Sequence, residues 1–598
     1  ALSTTSSNNT AVGKSALEAN TTGTQNVAVG ANALDANTTA NYNTAVGHAS
    51  LGQNTTGAQN TGIGRASLNA NTTGANNAGV GYNSLLDNST GAENTAVGSL
   101  AAQDNTTASY NTAVGYASLK TTTTGAQNTA VGRAALNANT TAANNTAVGY
   151  NAMLDNTTGI QNVAVGANAL DANTTSNNNT AVGYSALSAN TTGTRNTAVG
   201  TLALTSITAG TNSTAIGYEA LYYNTASSNV AVGEHALGAN TTGNNNTAVG
   251  NAALAANTTG TENVAVGYLA LDDNTTASYN TAFGSQALGN TTTGAANTAV
   301  GRASLVSNTT GLNNVAVGQN SMFTNTTGYQ NVAIGKDTLY SNTTANNNVA
   351  VGYNALAANT TGDNNVAVGY ASLDANTLSS GCTAVGYNAL TTLTNGANNT
   401  AIGRDSMQLT TTGVLNVGMG YETLFSCTTG ANNCALGAST GYNLSTGSGN
   451  IMLGFRQSNN TYNPVFDPQT SSNRVVMGHQ AITNAYIEVD WTIVSDQRDK
   501  TQVTPITKGL SFVDQLNPVK YKYRKDRGSD ETKGPNHYGF LAQEVLAVEG
   551  DDPVIVDTED SNLLKMTNAE LIPVLVKAVQ ELSAENAALK ARLDAAGI

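Results

Sequence analysis

Gly149-Tyr-Asn-Ala-Met-Leu-Asp-Asn-Thr-Thr-Gly-Ile-Gln-Asn-Val-Ala-Val-Gly166 decides the fold, because the chain writes it over and over. Its closing phrase is an Asn, a Thr or Val, usually an Ala, a Val or Ile, then a Gly. The phrase recurs 27 times, a few copies carrying substitutions, with its glycine at Gly13, Gly30, Gly47 and onward to Gly454. Of the 26 intervals, 25 are seventeen residues and one, Gly217 to Gly233, is sixteen. A period so short and so regular means one supersecondary unit stacked on copies of itself.

Within a coil, Asn162-Val-Ala-Val165 reads as a four-residue β segment, Val163 and Val165 pointing one way and Ala164 the other. Gly166 ends it where the backbone needs a positive φ. Ala169-Leu170 supplies a second apolar anchor, and Asn-Thr-Thr-Gly turns the chain toward the next strand. No coil buries its few apolar side chains alone. Stacking is expected to put Val over Val, Leu over Leu and Asn over Asn, about 4.8 Å apart, for a rod on the order of 130 Å. The sixteen-residue interval shortens the turn Asn224–Asn229 and should leave strand register intact. Small Ala and Gly residues opposite the valines predict close approach of another backbone, which three parallel chains around a three-fold axis would supply. The repeat resembles the shorter ones of trimeric autotransporter heads, which carry a similar phrase.

The expected fold is therefore mainly β. Residues 1–454 form a homotrimeric parallel β-solenoid shaft of 27 coils, and 455–494 a β-rich transition. Residues 495–598 form a small α+β domain ending in a coiled coil at about 567–597. Composition changes at the same place: the chain to Gly454 holds 8 Lys/Arg and 17 Asp/Glu, and the remainder 15 and 20. A net charge of −14 without a basic run argues against nucleic acid as a partner. No apolar stretch approaches the roughly 18 to 20 residues of a membrane helix. Ala1 in place of Met suggests processing or a piece of a longer chain, with docking to other proteins left to a missing N-terminal part. Cys382, Cys427 and Cys434 stand where other coils have Asn, Thr or Val, so they read as buried small-residue substitutions rather than a disulfide framework. The many Asn-Thr-Thr and Asn-Asn-Thr sequons fit synthesis in a bacterial cytoplasm, where they stay unglycosylated.

Little chemistry is written into the shaft. Tyr follows the closing glycine in ten coils, among them Tyr82, Tyr116, Tyr150, Tyr184 and Tyr218, and reads as a tolerant exposed turn position. Adjacent threonines in a turn do not make the flat Thr-x-Thr face of an ice binder. No His/Cys/Asp cluster has metal-ligand spacing and no glycine-rich loop precedes a helix, so no metal or cofactor is expected. Acidic residues such as Glu18, Asp35 and Glu93 are scattered rather than paired as a glycosidase requires.

The tail differs. Asn473-Arg-Val-Val-Met-Gly-His479 is followed by an alternating strand, Ala485–Val494, and then by the charged turn Ser495-Asp-Gln-Arg-Asp-Lys500. Leu516-Asn-Pro-Val-Lys-Tyr521 and Gly539-Phe-Leu-Ala-Gln-Glu-Val545 come next. Thr567-Asn-Ala-Glu570 reads as a capping box with Met566 and Leu571 as its staple. Ile572, Leu575, Val579, Leu582, Asn586, Leu589 and Leu593 step by three and four, the spacing of a coiled-coil seam, with Asn586 setting register.

These ordered motifs resemble the peptidase S74 family, the intramolecular chaperone at the C-terminus of phage tail fibres and tailspikes. Their wording is similar to fibres of marine cyanobacterial phages. The resemblance implies a trimerising domain that templates the β-structure before it and then cuts itself off. It implies Ser495 as nucleophile, Lys500 as general base, and a scissile bond between Val494 and Ser495. Asp496, Arg498, Gln543 and Glu544 are supporting positions; Arg498 is expected to contribute to depressing the lysine pKa, and Asp496 and Asp499 to oppose it. His537 leaves a Ser-His pairing as a lesser rival. The expected whole is a virion tail fibre that touches a host glycan or protein receptor, with at most a single-turnover autoprotease. A bacterial surface adhesin and a polysaccharide-degrading tailspike are the alternatives.

Overall fold

The computed structural model describes residues 6–455, 466–479, 482, 485–486, 488, 494–524, 528–559, 561 and 564–598. The chain divides into two compact units, one of 1–456 with 466–477 and the other of 457–465 with 478–598.

The first unit is one parallel ladder of 28 strands. It runs from β1 (Thr10–Val12) through β27 (Ile451–Leu453) to β28 (Val475–Met477), each strand three residues long. Val163 pairs with Thr146 on one side and Thr180 on the other, and this register recurs along the shaft. The sixteen-residue coil keeps it: Thr214, Ala215 and Ile216 face Val230, Ala231 and Val232. The ladder continues past the last repeat, because Val475–Met477 pairs in register with Ile451–Leu453. The Asn-Arg-Val-Val-Met-Gly phrase is thus a final rung rather than part of a separate transition. The alternating strand read at 485–494 lies almost wholly outside the described residues.

Strand alternation is present, but its inside is the alanine side. Ala164 is fully buried while Val163 and Val165 are partly exposed. Gly62 occupies the same row, and a Cβ added there would meet Ser50 Oγ at 2.6 Å and Leu51 Cγ at 3.3 Å. The coil is so narrow that its own far wall, the Leu row, leaves room for a methyl group at most along nearly all of the shaft, with Met452 of the last repeat the larger exception. This corrects the inference that small residues await a second backbone: the neighbour they meet is their own coil.

Gly166 is required twice over. Its φ is +138°, and a Cβ would lie 2.4 Å from the carbonyl oxygen of Gly183 one coil on. Three further residues per coil take positive φ without being glycine; here they are Asn168 (+55°), Leu170 (+55°) and Asn178 (+61°). A leucine in this region ordinarily costs about 1–2 kcal/mol. The Leu row accepts that strain because each side chain is fully enclosed, and because Leu170 N–H donates to Ala186 O at 3.0 Å.

Two rows of buried asparagines finish the interior. Asn162 donates through Nδ2 to Ser176 O (2.8 Å), while its Oδ1 accepts the N–H of Asn179 (2.9 Å). Asn173 donates to the Oδ1 of Asn156 (2.7 Å) and, within its own coil, to Ser176 O (3.3 Å). Thr157 Oγ1 donates to Thr174 O (3.0 Å), which occupies the hydroxyls of that turn row. All three cysteines are free thiols; Cys382 and Cys427 are buried in the two Asn rows, but Cys434, expected to be buried, is exposed because it stands on the outward row of its strand. Cys382 Sγ lies 3.2 Å from Gly396 O, where an Asn amide would otherwise donate.

The second unit has its own small core of Phe512, Val545, Ile555, Val556, Leu571 and Val574. Its elements are α1 (Leu510–Val513), the antiparallel hairpin β29 (Val519–Arg524) and β30 (Thr532–Gly539), α2 (Ala542–Glu549), the short pair β31 (Val556–Asp557) and β32 (Lys565–Met566), and α3 (Leu571–Ala595). The capping box is not made: Asn568–Glu570 is a 3-10 turn in which Glu570 N–H donates to the backbone oxygen of Thr567, and neither side chain caps. Pro573 sits in the first turn of α3, where its missing N–H costs nothing. Among the described residues, no helix is long and apolar enough to cross a membrane.

Candidate active site

Asp496 starts a tight turn because its short carboxylate can satisfy the amides that a helical start leaves bare. Its Oδ1 accepts Arg498 N–H at 2.9 Å and caps the 3-10 turn Gln497–Asp499. Lys500 N–H closes the turn onto Gln497 O at 3.2 Å. That single turn reverses the chain enough for Lys500 Nζ to lie 2.6 Å from Ser495 Oγ. The nucleophile and the base named by the resemblance are therefore in direct hydrogen-bond contact. Val494, which carries the carbonyl of the expected scissile bond, is 81% exposed.

Arg498 does not serve Lys500. Its guanidinium folds back on Asp496, with Nη2 2.6 Å from Oδ2 and Nε 3.1 Å from both carboxylate oxygens. Arg498 beside it holds the Asp496 carboxyl below its ordinary range, and Asp496 in turn raises Arg498. The two charges neutralise one another in a planar pair. The expected push of Arg498 on the lysine is thus replaced by a structural role, holding the turn shut.

Gln543 and Glu544 stand in the first turn of α2, and both are exposed. Glu544 Oε2 accepts Asn517 Nδ2 at 3.2 Å, which ties Leu516-Asn-Pro to Ala-Gln-Glu, two of the motifs that carried the resemblance. Neither residue is brought to Ser495. His537 lies among tyrosines, 5.7 Å from the Tyr521 ring and 5.2 Å from that of Tyr523, rather than against the serine. A hydrogen bond to Tyr523, followed by burial, pushes the Tyr521 phenol up to about 12. Among the described residues no cluster of His, Cys, Asp and Glu could hold a metal ion.

Sequence reading passed over Glu549. Its side chain is fully buried at the end of α2; Oε1 accepts Val554 N–H (2.9 Å) and Ile555 N–H (2.8 Å), and Oε2 accepts Val556 N–H (2.9 Å). Lys508 Nζ adds an ion pair at 3.3 Å. Burial pushes this carboxyl up, but the three amides and Lys508 outweigh it and leave it below its ordinary value. Nothing but a lone Glu before Gly550 marked it in the sequence.

On α3, Leu571, Val574 and Ala578 face the domain core. Ile572, Leu575, Val579, Leu582, Leu589 and Leu593 remain 41–64% exposed, and Asn586 is exposed among them. The seam read from the sequence is the uncovered face.

Comparison with known families matches residues 495–555 to peptidase S74, the chaperone of endosialidase. The match begins at the serine of the Ser-Lys pair. No curated protein and no solved structure matches the chain.

Proposed function

We propose that a chain carrying a chaperone-of-endosialidase domain after a long β-solenoid is a phage tail-fibre or tailspike protein. In this reading it is a homotrimer whose shaft reaches a glycan or protein on a host cell. The 495–598 domain aligns three chains and is then released by cleavage at Val494–Ser495. The observation that carries the reading is the 2.6 Å contact between Lys500 Nζ and Ser495 Oγ at the first residue of that domain.

The chemistry follows from the geometry. A serine hydroxyl attacks an amide only when a base takes its proton. Neutral Lys500 takes the proton of Ser495 Oγ as that oxygen attacks the carbonyl carbon of Val494. The C–N bond breaks, and the Ser495 nitrogen leaves with the proton returned by the ammonium. An ester of Val494 on Oγ results, and water hydrolyses it to a Val494 carboxylate and a free Ser495 amine. Nucleophile and target share one peptide unit, so the entropy of encounter is already removed. A lysine ammonium in water keeps its proton up to about pH 10. The Ser495–Lys500 pair is exposed in a single chain, and in this reading assembly covers it. Cutting would then report that three chains have come together.

Trimerisation first by the tail makes kinetic sense, because a slip of one whole coil between neighbouring shafts costs almost no local energy. Both units carry apolar rows suited to a second copy: the seam of α3, and the outward strand row with Ile63, Val97, Phe283 and Met419 40–56% exposed. Such rows exceed the scattered apolar exposure normal for a monomer. Mass spectrometry of freshly expressed chain, beside Ser495→Ala and Lys500→Met, tests the cleavage. Pieces 1–494 and 495–598 are expected only from the unmutated chain. Their appearance in Ser495→Ala, or an intact unmutated trimer, refutes it.

A further inference from the structure

One corner of the shaft departs from the repeat. The two residues after the buried leucine lie in register with their counterparts one coil on. At the sixteen-residue coil they are Tyr222 and Tyr223, followed one coil on by Gly238 and Ala239, and in the row of Tyr222 by Ala255. Two large rings above three small residues leave a notch of about 390 Å³. Tyr222 and Tyr223 meet edge to face at 4.6 Å and roof it, with Tyr223 58% exposed. Gly238, Ala239 and Ala255 floor it, and Glu219 and His235 form its wall.

The wall is charged where the shaft is otherwise almost uncharged. His235 Nδ1 lies 3.2 Å from Glu219 Oε2, and its Nε2 3.7 Å from Glu234 Oε1. Asn251 donates to Glu234 Oε2 at 3.1 Å, and the Tyr218 ring meets His235 edge-on at 5.4 Å. The carboxylates are thus held in place by the protein, yet each keeps acceptor capacity toward solvent. A concave site of this size, with aromatic faces and a few fixed polar groups, is built for a small ligand. The ligand needs one apolar face and a rim of hydroxyls, because the rings offer flat apolar surface and the wall offers acceptors.

We infer that this notch is a saccharide subsite that takes one sugar ring, its C–H face on the exposed Tyr223 ring and its hydroxyls on the Glu219 carboxylate of the wall. This rests on the attachment reading for its place in the life of the protein, and names the ligand class and the coil that reading leaves open. The regular Tyr stripe is not an equivalent: Tyr353, Tyr370 and Tyr387 stack on one another at 5.4 and 5.1 Å, so neighbouring rings occupy their faces.

The test is saturation-transfer NMR on the full chain. The probes are a panel of methyl hexopyranosides and methyl N-acetylhexosaminides, with tetramethylammonium as a cationic control. Two variants accompany the unmutated protein. Gly238→Leu fills the notch with a side chain that the repeat already places in this row at Leu154. Tyr223→Ala removes an exposed ring. Transfer from the unmutated chain to the ring protons of at least one glycoside is expected, falling about five-fold or more in each variant. Absence of glycoside signal, equal signal in Gly238→Leu, or signal on tetramethylammonium alone overturns the assignment. Adsorption of the full chain to host cells is scored separately. Adsorption that survives both variants sinks the notch and leaves attachment standing.

Discussion

Asn179 donates its backbone N–H to the Oδ1 of Asn162, 2.9 Å away and one coil earlier. The same link joins Asn145 to Asn162 and Asn179 to Asn196, so side chains supply what strand pairing cannot reach in the buried turn. The other row, through Asn173, is less demanding. Ile207, Leu393 and Leu444 replace it elsewhere, and before Ile207 only the Oδ1 of Asn190 is left without a partner.

The two rows should therefore respond differently to the same change. Asn162→Leu orphans the N–H of Asn179 and weakens the hold on Ser176 O, at about 1–3 kcal/mol per buried group lost. Asn173→Leu leaves Ser176 O with Asn162 but frees the Oδ1 of Asn156, the same loss the shaft already carries at Asn190 before Ile207, and should cost less. Hydrogen exchange of the amides from 160 to 196 would measure both, and equal protection in the two variants would refute the distinction.

Gly166→Ala should be worse than either. The methyl would have to displace the backbone of Gly183, at a φ that alanine also resists. Local loss of several coils' protection is expected, centred on 149–183. A variant with unchanged exchange would mean that the coils part more easily than their contacts indicate.

Glu549 makes the small domain acid-sensitive. Its folded pKa is depressed, so its stabilisation is present above the ordinary carboxyl value near 4.3 and fades as pH falls through the lower folded value. Glu549→Gln should flatten that acid limb. Glu549→Ala, which abandons three amides and Lys508, should cost on the order of 3–5 kcal/mol. Chemical denaturation of the 495–598 piece at pH 3 and pH 7 is the measurement; a parallel pH dependence in Glu549→Gln would assign the acid limb to other groups.

Cys434 offers a test of which face joins the chains. It lies exposed at the start of strand Cys434–Leu436, on the outward row, while Cys382 and Cys427 are buried. A disulfide needs Cα atoms within about 7 Å. If the outward rows meet, mild oxidation should give covalent dimers of the full chain that vanish in Cys434→Ser. Monomer alone under oxidation, from protein that is oligomeric in solution, would move the interface elsewhere.

Truncation after Gly478 keeps the last rung, since Val475–Met477 belongs to the ladder. Without the domain that aligns the chains, the shaft should be recovered as aggregates with mismatched register. Soluble trimers from this truncation would remove the chaperone role.

Periodicity alone determined the rod, its unit and its near-constant register, because a strict period leaves a chain few ways to stack. Loop shortening at 224–229 and the Cys substitutions were legible for the same reason. Ser495 and Lys500, five residues apart along one turn, were marked only by the resemblance of the tail motifs to peptidase S74. Tertiary structure decided what periodicity cannot carry. Alternation says that Ala164 and Val165 face opposite ways, but only the width of the closed coil says which side is dry. Leucines at positive φ contradict local propensity and are held there by enclosure. Glu549 and Lys508 are 41 residues apart and meet only when the domain folds. The notch at Tyr222 arises from side chains missing one coil away, a neighbourhood that no linear reading contains.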